Sequence, residues 1–164
     1  MIQTFAKQQL DEHLKRNSLI SECQSDYRQK HSFETAIDFV MTNWIQKREM
    51  KKKIVAVFLD LSRAFEIVDR MILIVILELN GIGSNVIAWF RSWLTGRRQF
   101  TKFEEKISEP CDVDDGIPQG TPLSAILFTL YINVIVQCTR HCNIKLFADD
   151  CLIWIDVDVM DEAM

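Results

Sequence analysis

The pair Asp149-Asp150 stands between two short apolar runs, KLFA at 145–148 and CLIWI at 151–155. Two such runs around a two-residue acidic turn predict a β-hairpin. Upstream, IVAVFLD at 54–60 reads as a short buried strand with Asp60 at its C-terminal end. Acids at the ends of apolar strands are costly unless something compensates them. A divalent metal is the natural compensation, because Mg²⁺ takes oxygen ligands and usually keeps substrate phosphates in its shell. Two such ions about 3.5–4 Å apart activate an attacking hydroxyl and steady a leaving pyrophosphate. The plainer alternative is a turn that happens to hold two acids, since Asp is a favoured turn residue.

The rest of the chain frames these acids. Residues 3–15 look helical. In residues 33–46, Phe33, Ala36, Ile37, Val40, Met41, Trp44 and Ile45 recur at helical spacing, with Ser32 as cap and Glu34 in the first turn. Residues 63–79 read as a helix, with a strand over MILIVIL as the alternative, and 84–94 read as another helix that Gly96 ends. Residues 98–115 suggest a hairpin turning near Glu104 to Lys106. After GIPQGTPLS, Thr121 and Pro122 suit the cap and first position of a helix running to about 138. Its apolar face is Leu123, Ile126, Leu127, Leu130 and Val134. Gly116 and Gly120 flank a loop whose backbone N–H groups can approach a base, sugar or phosphate closely. Strand, helices and hairpin together predict an α/β (α+β) fold, an antiparallel sheet with packed helices and the three acids at one edge.

A chain of 164 residues, 48% of them hydrophobic, suits one domain with a sizeable core. The net charge of −4 gives no broad field for phosphates. The basic residues are nevertheless clustered, at Lys47, Arg48 and Lys51–Lys53, and at Arg97, Arg98 and Lys102. Such clusters are phosphate contacts or merely solvated faces. Five irregularly spaced cysteines read as reduced intracellular thiols; around Cys138, His141 and Cys142 no second ligand pair completes a zinc site. The apolar runs near 71–77 and 122–136 suit buried elements better than membrane spans.

The ordered set of motifs resembles the reverse transcriptases of non-LTR retrotransposons of the insect jockey type, over almost the whole chain. VFLDLSRAFEIVD is similar to the family's first catalytic block, GIPQGTPLSAILFTLYIN to its Pro-Gln-Gly block, and LFADD to its aromatic-x-Asp-Asp box. GIGSNVIAWFRSWLTGRRQF resembles the helix and strand between them, and LISECQSDYRQKHSFETA a fingers segment. The resemblance implies a right-hand polymerase palm with part of the fingers. About 1–53 would belong to the fingers, and about 54–164 to fingers and palm with the catalytic blocks. It implies RNA-directed DNA synthesis, with an RNA template, a DNA primer and deoxynucleoside triphosphates as partners. It implies Mg²⁺ (two ions, with Mn²⁺ as a substitute) at Asp60, Asp149 and Asp150, with the Leu61 carbonyl as a further ligand. Phe65 would exclude a ribose 2′-OH, Gln119 and Gly120 would line the nucleotide pocket, and Arg28 would reach the triphosphate.

Some segments depart from the family pattern. Asp26-Tyr27 stands where Gly-Phe is usual, and an Asp beside a triphosphate repels it. Glu66 replaces Asp, and MILIVIL replaces a more polar segment. No thumb or primer grip is recognisable after the hairpin, so little processive synthesis is expected of the chain by itself. The alternative to an enzyme is a catalytically silent remnant, at most a nucleic-acid- or protein-binding module. The location expected is intracellular, nuclear or cytoplasmic.

Overall fold

The computed structural model describes residues 2–26 and 31–158. The helices are α1 (Ile2–Arg16), α2 (Phe33–Glu49), α3 (Arg70–Leu79), α4 (Ser84–Leu94), α5 (Ser124–Ile132) and α6 (Ile135–Cys138). The strands are β1 (Lys52–Leu59), β2 (Arg97–Gln99), β3 (Lys102–Phe103), β4 (Lys106–Ile107), β5 (Cys111–Val113), β6 (Asn143–Phe147) and β7 (Asp150–Asp158). Helices and an antiparallel sheet make the mixed α+β class expected. The chain forms two compact units. One comprises Met1–Lys7 and Arg63–Tyr131, the other Gln8–Ser62 and Ile132–Met164.

The second unit is built on one sheet of order β1-β7-β6, antiparallel throughout. Its first strand corrects an expectation. IVAVFLD is not buried: Val55 is 54%, Val57 52% and Phe58 75% exposed. β1 is the edge strand, paired only with β7 among the described residues, so one of its flanks carries no neighbour. Directly opposed residues in an antiparallel pair share a face. Val55, Val57 and Leu59 therefore lie on one face with their partners Ile155, Ile153 and Cys151. On that face Ile144, Leu146 and Cys151 form a small core with Cys23, Ile135, Val136 and Ile153 packed against it. The other edge of the sheet is covered, because Leu146 donates to the Cys23 carbonyl (2.9 Å) and accepts at its own carbonyl from Ser25 (2.9 Å).

Helix α2 lies over the opposite face. Its start is a capping box. The Ser32 hydroxyl accepts from the Thr35 N–H, and the Thr35 hydroxyl accepts from the Ser32 N–H. Only part of its apolar stripe is buried, at Ala36 and Val40; Phe33, Ile37, Met41 and Ile45 are exposed, against the periodicity's promise of a core face. Contact with the sheet is made by Trp44 of that stripe and by Phe39 and Asn43 further round the helix. Trp44 meets Trp154 edge-on at 6.3 Å, and Asn43 Oδ1 accepts from Trp154 Nε1 at 3.2 Å. Lys145 sits over the Phe39 ring at 4.8 Å.

Part of the first basic cluster is also committed to this packing. Asp156 accepts from Lys52 Nζ at 2.7 Å and lies 3.1 Å from Lys47. Those hydrogen bonds, that from Lys52 first, hold the Asp156 carboxyl below its usual range and lift Lys52 above its own. The Asp156 contribution is therefore complete above the unfolded carboxylate value of about 3.9 and is lost as pH falls through the lower folded value. Asp156→Asn should flatten the acid limb of a stability-against-pH profile measured by urea unfolding. An unchanged acid limb would remove this pair from the account.

The other unit holds α3, α4, the small hairpins and most of α5. Here the predicted helix over 63–79 is corrected. Residues 62–66 form turns, with Arg63 at φ 57°, and α3 begins at Arg70. The cause is a cap: the Asp69 carboxylate accepts the N–H of Met71 (2.8 Å) and Ile72 (3.0 Å). MILIVIL is helical, with Leu73, Ile74, Ile76 and Leu77 inward. The 98–115 hairpin is present as two nested pairs, β2 with β5 and β3 with β4, turning at Glu104-Glu105. The helix expected over 122–138 is two helices. It starts at Ser124, two residues after Pro122. It breaks at Asn133, whose side chain accepts from Ser21 N–H (2.9 Å) and donates to the Leu19 carbonyl (3.2 Å). Leu123, Ile126, Leu127 and Leu130 are buried, but Val134, beyond the break, is exposed.

Candidate active site

The register of β1 with β7 builds the acidic site. Leu59 pairs with Cys151, so Asp60 directly follows the last paired residue of β1 while Asp150 directly precedes that pair's partner on β7, and both acids stand at the same end of the sheet. Both acids line one cavity of about 430 Å³, whose apolar walls include Phe33, Ile37, Met41, Phe58 and Leu152. The β6–β7 hairpin closes on the pair Phe147 and Asp150, so its two-residue loop is Ala148-Asp149. This shifts the turn by one residue from the acidic pair. Ala148 takes the positive φ of 53° that a tight hairpin loop requires at its first position. Asp149 is at the loop's tip, half-buried, while Asp150 is the first residue of β7 and exposed.

Asp60, Asp149 and Asp150 thus fall in one unit and at one end of one sheet. Among the described residues no group of three or more His, Cys, Asp or Glu is close enough to hold a single ion. The donor chemistry still fits a hard divalent cation. Mg²⁺ is usually held by one or two carboxylates together with waters and substrate phosphates, not by an all-protein cage. A site of that kind would use Asp60 with a hairpin carboxylate, and Leu61 follows Asp60 directly with a backbone carbonyl to add.

The remaining predicted residues belong to the other unit. The Phe65 ring stacks on Phe128 at 4.5 Å with an interplanar angle of 25°. Its carbonyl accepts from Ile117 N–H at 2.8 Å, and the Val68 carbonyl accepts from Gly116 N–H at 2.9 Å. Those two amides are therefore not available to a ligand, contrary to the open loop expected. Gln119 and Gly120 follow in an exposed turn; Gly120 has φ 74° and open space where a side chain would be. Arg28 lies outside the described residues.

The residue that sequence reading passed over is Arg70. It is buried at the start of α3, and its guanidinium donates to three carbonyls: Nε to Gly116 (2.8 Å), Nη1 to Val113 (2.7 Å) and Nη2 to Asp115 (2.7 Å). Burial pulls its pKa down, and Asp115 and Asp114 oppose that shift. It stays charged, as arginine does in proteins. The one signal in the sequence is a lone cation between a capping Asp and seven apolar residues. Gly116 completes the clamp. A β-carbon there would meet the Glu66 carbonyl oxygen at 2.6 Å and its Cα at 2.8 Å, with φ at +80°. Gly116→Ala should cost at least about 2 kcal/mol, because backbone must move and the left-handed conformation is strained for any L-residue. Chemical denaturation tests this, and an unchanged midpoint would mean that the close approach is easily relaxed.

The mixed helical and antiparallel fold sets Asp60, Asp149 and Asp150 at the ends of neighbouring strands. The family profile for reverse transcriptase (RNA-dependent DNA polymerase) matches residues 1–159, and the chain belongs to that family. No curated protein matches the sequence. No helix among the described residues is long and apolar enough to cross a membrane.

Proposed function

We propose that this chain carries the catalytic centre of an RNA-directed DNA polymerase of a non-LTR, jockey-like retrotransposon, which adds deoxynucleotides to a primer 3′-OH on an RNA template. The observation that supports this most is the pairing of Leu59 with Cys151, which leaves Asp60 and Asp150 at the same end of the sheet with Asp149 in the adjoining loop. Divalent ions, Mg²⁺ or Mn²⁺, supply activation of the 3′-OH and charge relief for the departing pyrophosphate when bound. The protein's own part is to hold and orient. Asp60 and the hairpin carboxylates present oxygen donors, and the Leu61 carbonyl adds another. Phe65 screens the sugar, Gln119 and Gly120 line the nucleotide's place, and Arg28 pairs with the triphosphate, where a planar guanidinium suits phosphate oxygens. The residues upstream of about 54 serve as fingers and those downstream as fingers and palm. The setting is intracellular, in the nucleus or cytoplasm.

A second reading, a silent module that binds nucleic acid or protein, draws on the absence of a three-carboxylate cluster among the described residues. Single-nucleotide addition separates the two. A labelled DNA primer on an RNA template is offered one deoxynucleotide or the matching ribonucleotide with Mg²⁺. The polymerase reading expects deoxynucleotide addition, with ribonucleotide use rising in Phe65→Ala. Template binding without any addition, at any divalent ion concentration, would favour the silent module.

A further inference from the structure

We propose that two copies of this chain associate through their β1 edges, antiparallel and about a two-fold axis at Ala56. An edge strand presents a row of unpaired N–H and C=O groups, and natural proteins normally blunt such edges with charge, proline or a covering segment. This sheet blunts only one. The β6 edge is covered by residues 23–25, through the Leu146–Cys23 and Ser25–Leu146 hydrogen bonds and the Gln24–Leu146 bridge. The β1 edge is apolar over six consecutive residues, 54–59, with no proline, and Val55, Val57 and Phe58 are more than half exposed.

The sequence of β1 is complementary to itself. Centred on Ala56, an antiparallel copy sets Val55 opposite Val57 and Ile54 opposite Phe58. The same register sets Lys52 opposite Asp60, so the basic start of one strand meets the acidic end of the other. The neighbouring two-fold registers fail on charge. Centring on Val55 places Lys53 opposite Val57 and Lys51 opposite Leu59; centring on Val57 places Ile54 opposite Asp60. A shift by a single residue is excluded, because it would turn each apolar set to the other face. Lys52 already donates to Asp156 and lies 3.6 Å from the exposed Asp158, but an ammonium has three donors, so it has capacity for a further carboxylate. With β6 covered, one pairing uses up the open edge of this sheet among the described residues. Association therefore closes at a dimer with a continuous six-stranded sheet and does not propagate to a filament. Like charges opposite one another in such a pair are destabilising and opposite charges stabilising, which makes the register testable.

The test is sedimentation velocity of the whole chain from about 1 to about 300 μM, a range that brackets the micromolar constants of modest interfaces. The expected result is a monomer–dimer equilibrium with no larger species. V55K/V57K places lysine opposite lysine and should weaken dimerisation at least tenfold. V55K/V57D restores an opposed pair and should dimerise like the parent. Both positions are exposed, and circular dichroism checks that each variant folds. If V55K/V57K does not fold, D60K takes its place, since it sets lysine opposite Lys52. A parent that stays monomeric throughout, or two charge variants that associate equally, would overturn the proposal.

Discussion

Asp149→Asn is expected to lower nucleotide addition on an RNA-templated primer by at least about a hundredfold. Metal assistance in such reactions supplies several kcal/mol of transition-state charge stabilisation, and each 1.36 kcal/mol is tenfold in rate. The amide is close to the carboxylate in size but neutral, so it keeps the shape of the hairpin and removes a hard anionic donor. The hairpin should survive, because Asp149 is in the loop and the Phe147–Asp150 pair closes the strands without it. Asp60→Asn should act alike, for Asp60 follows the last residue of β1 and contributes no pair to the ladder. A readout independent of turnover is Mn²⁺ binding followed by electron paramagnetic resonance, which both variants should weaken. Wild-type Mn²⁺ affinity in both variants would dissociate these acids from metal holding, and wild-type addition in Asp149→Asn would remove it from catalysis.

The largest loss of stability is expected from Arg70→Met. Methionine retains much of the stem but none of the donors, so the carbonyls of Val113, Asp115 and Gly116 lose their shared partner at once. Leaving a buried carbonyl without its donor costs about 1–3 kcal/mol, and three carbonyls lose theirs together, for a total of about 3–5 kcal/mol. That is a large fraction of the roughly 5–15 kcal/mol available to a domain. Arg70→Lys should recover little, since an ammonium cannot reproduce a planar fork aimed at three acceptors. The measurement is equilibrium urea unfolding of both variants. A loss below about 1 kcal/mol in Arg70→Met would mean that water replaces the guanidinium at little cost. Because Arg70 holds the segment that leads into Gln119, it would act as a positioning residue for the proposed nucleotide site. Rescue of nucleotide KM by Arg70→Lys without rescue of stability would separate a charge effect at the site from this clamp.

What the sequence made legible was the order of elements and the type of most of them. Alternation and punctuation located the hairpin, the α2 cap at Ser32 and the small hairpin turning after Phe103. Where reading by residue fell short, the deciding contact was distant in sequence. An apolar run such as 54–59 has one appearance whether it lies at the centre of a sheet or at its edge, and only β7's position decides which. Turn chemistry favoured Asp149-Asp150 for the loop, because Asp adopts positive φ more readily than Ala. The pairing of Leu146 with Cys151 set the register instead and left Ala148 to take that strain. The break at Asn133 rests on hydrogen bonds to Leu19 and Ser21, more than a hundred positions away. That Asp60, Asp149 and Asp150 stand at strand ends was legible because strand ends are visible in a sequence. Arg70 was not, because its partners are backbone carbonyls, which leave no mark in the letters.

The stacking of Phe65 on Phe128 has a consequence for how substrate choice can evolve. Phe128 is buried in α5, with 1% of its surface exposed, and is no part of the nucleotide's surroundings as proposed. Yet it fixes where the Phe65 ring rests. If Phe65 tells deoxyribose from ribose, the fidelity of the copy is a joint trait of two rings, one of which never meets a substrate. A population drifting at position 128 alone would then spread along a gradient of sugar tolerance. Asp60, Asp149 and Asp150 would stay unchanged while the chemistry of the product shifted.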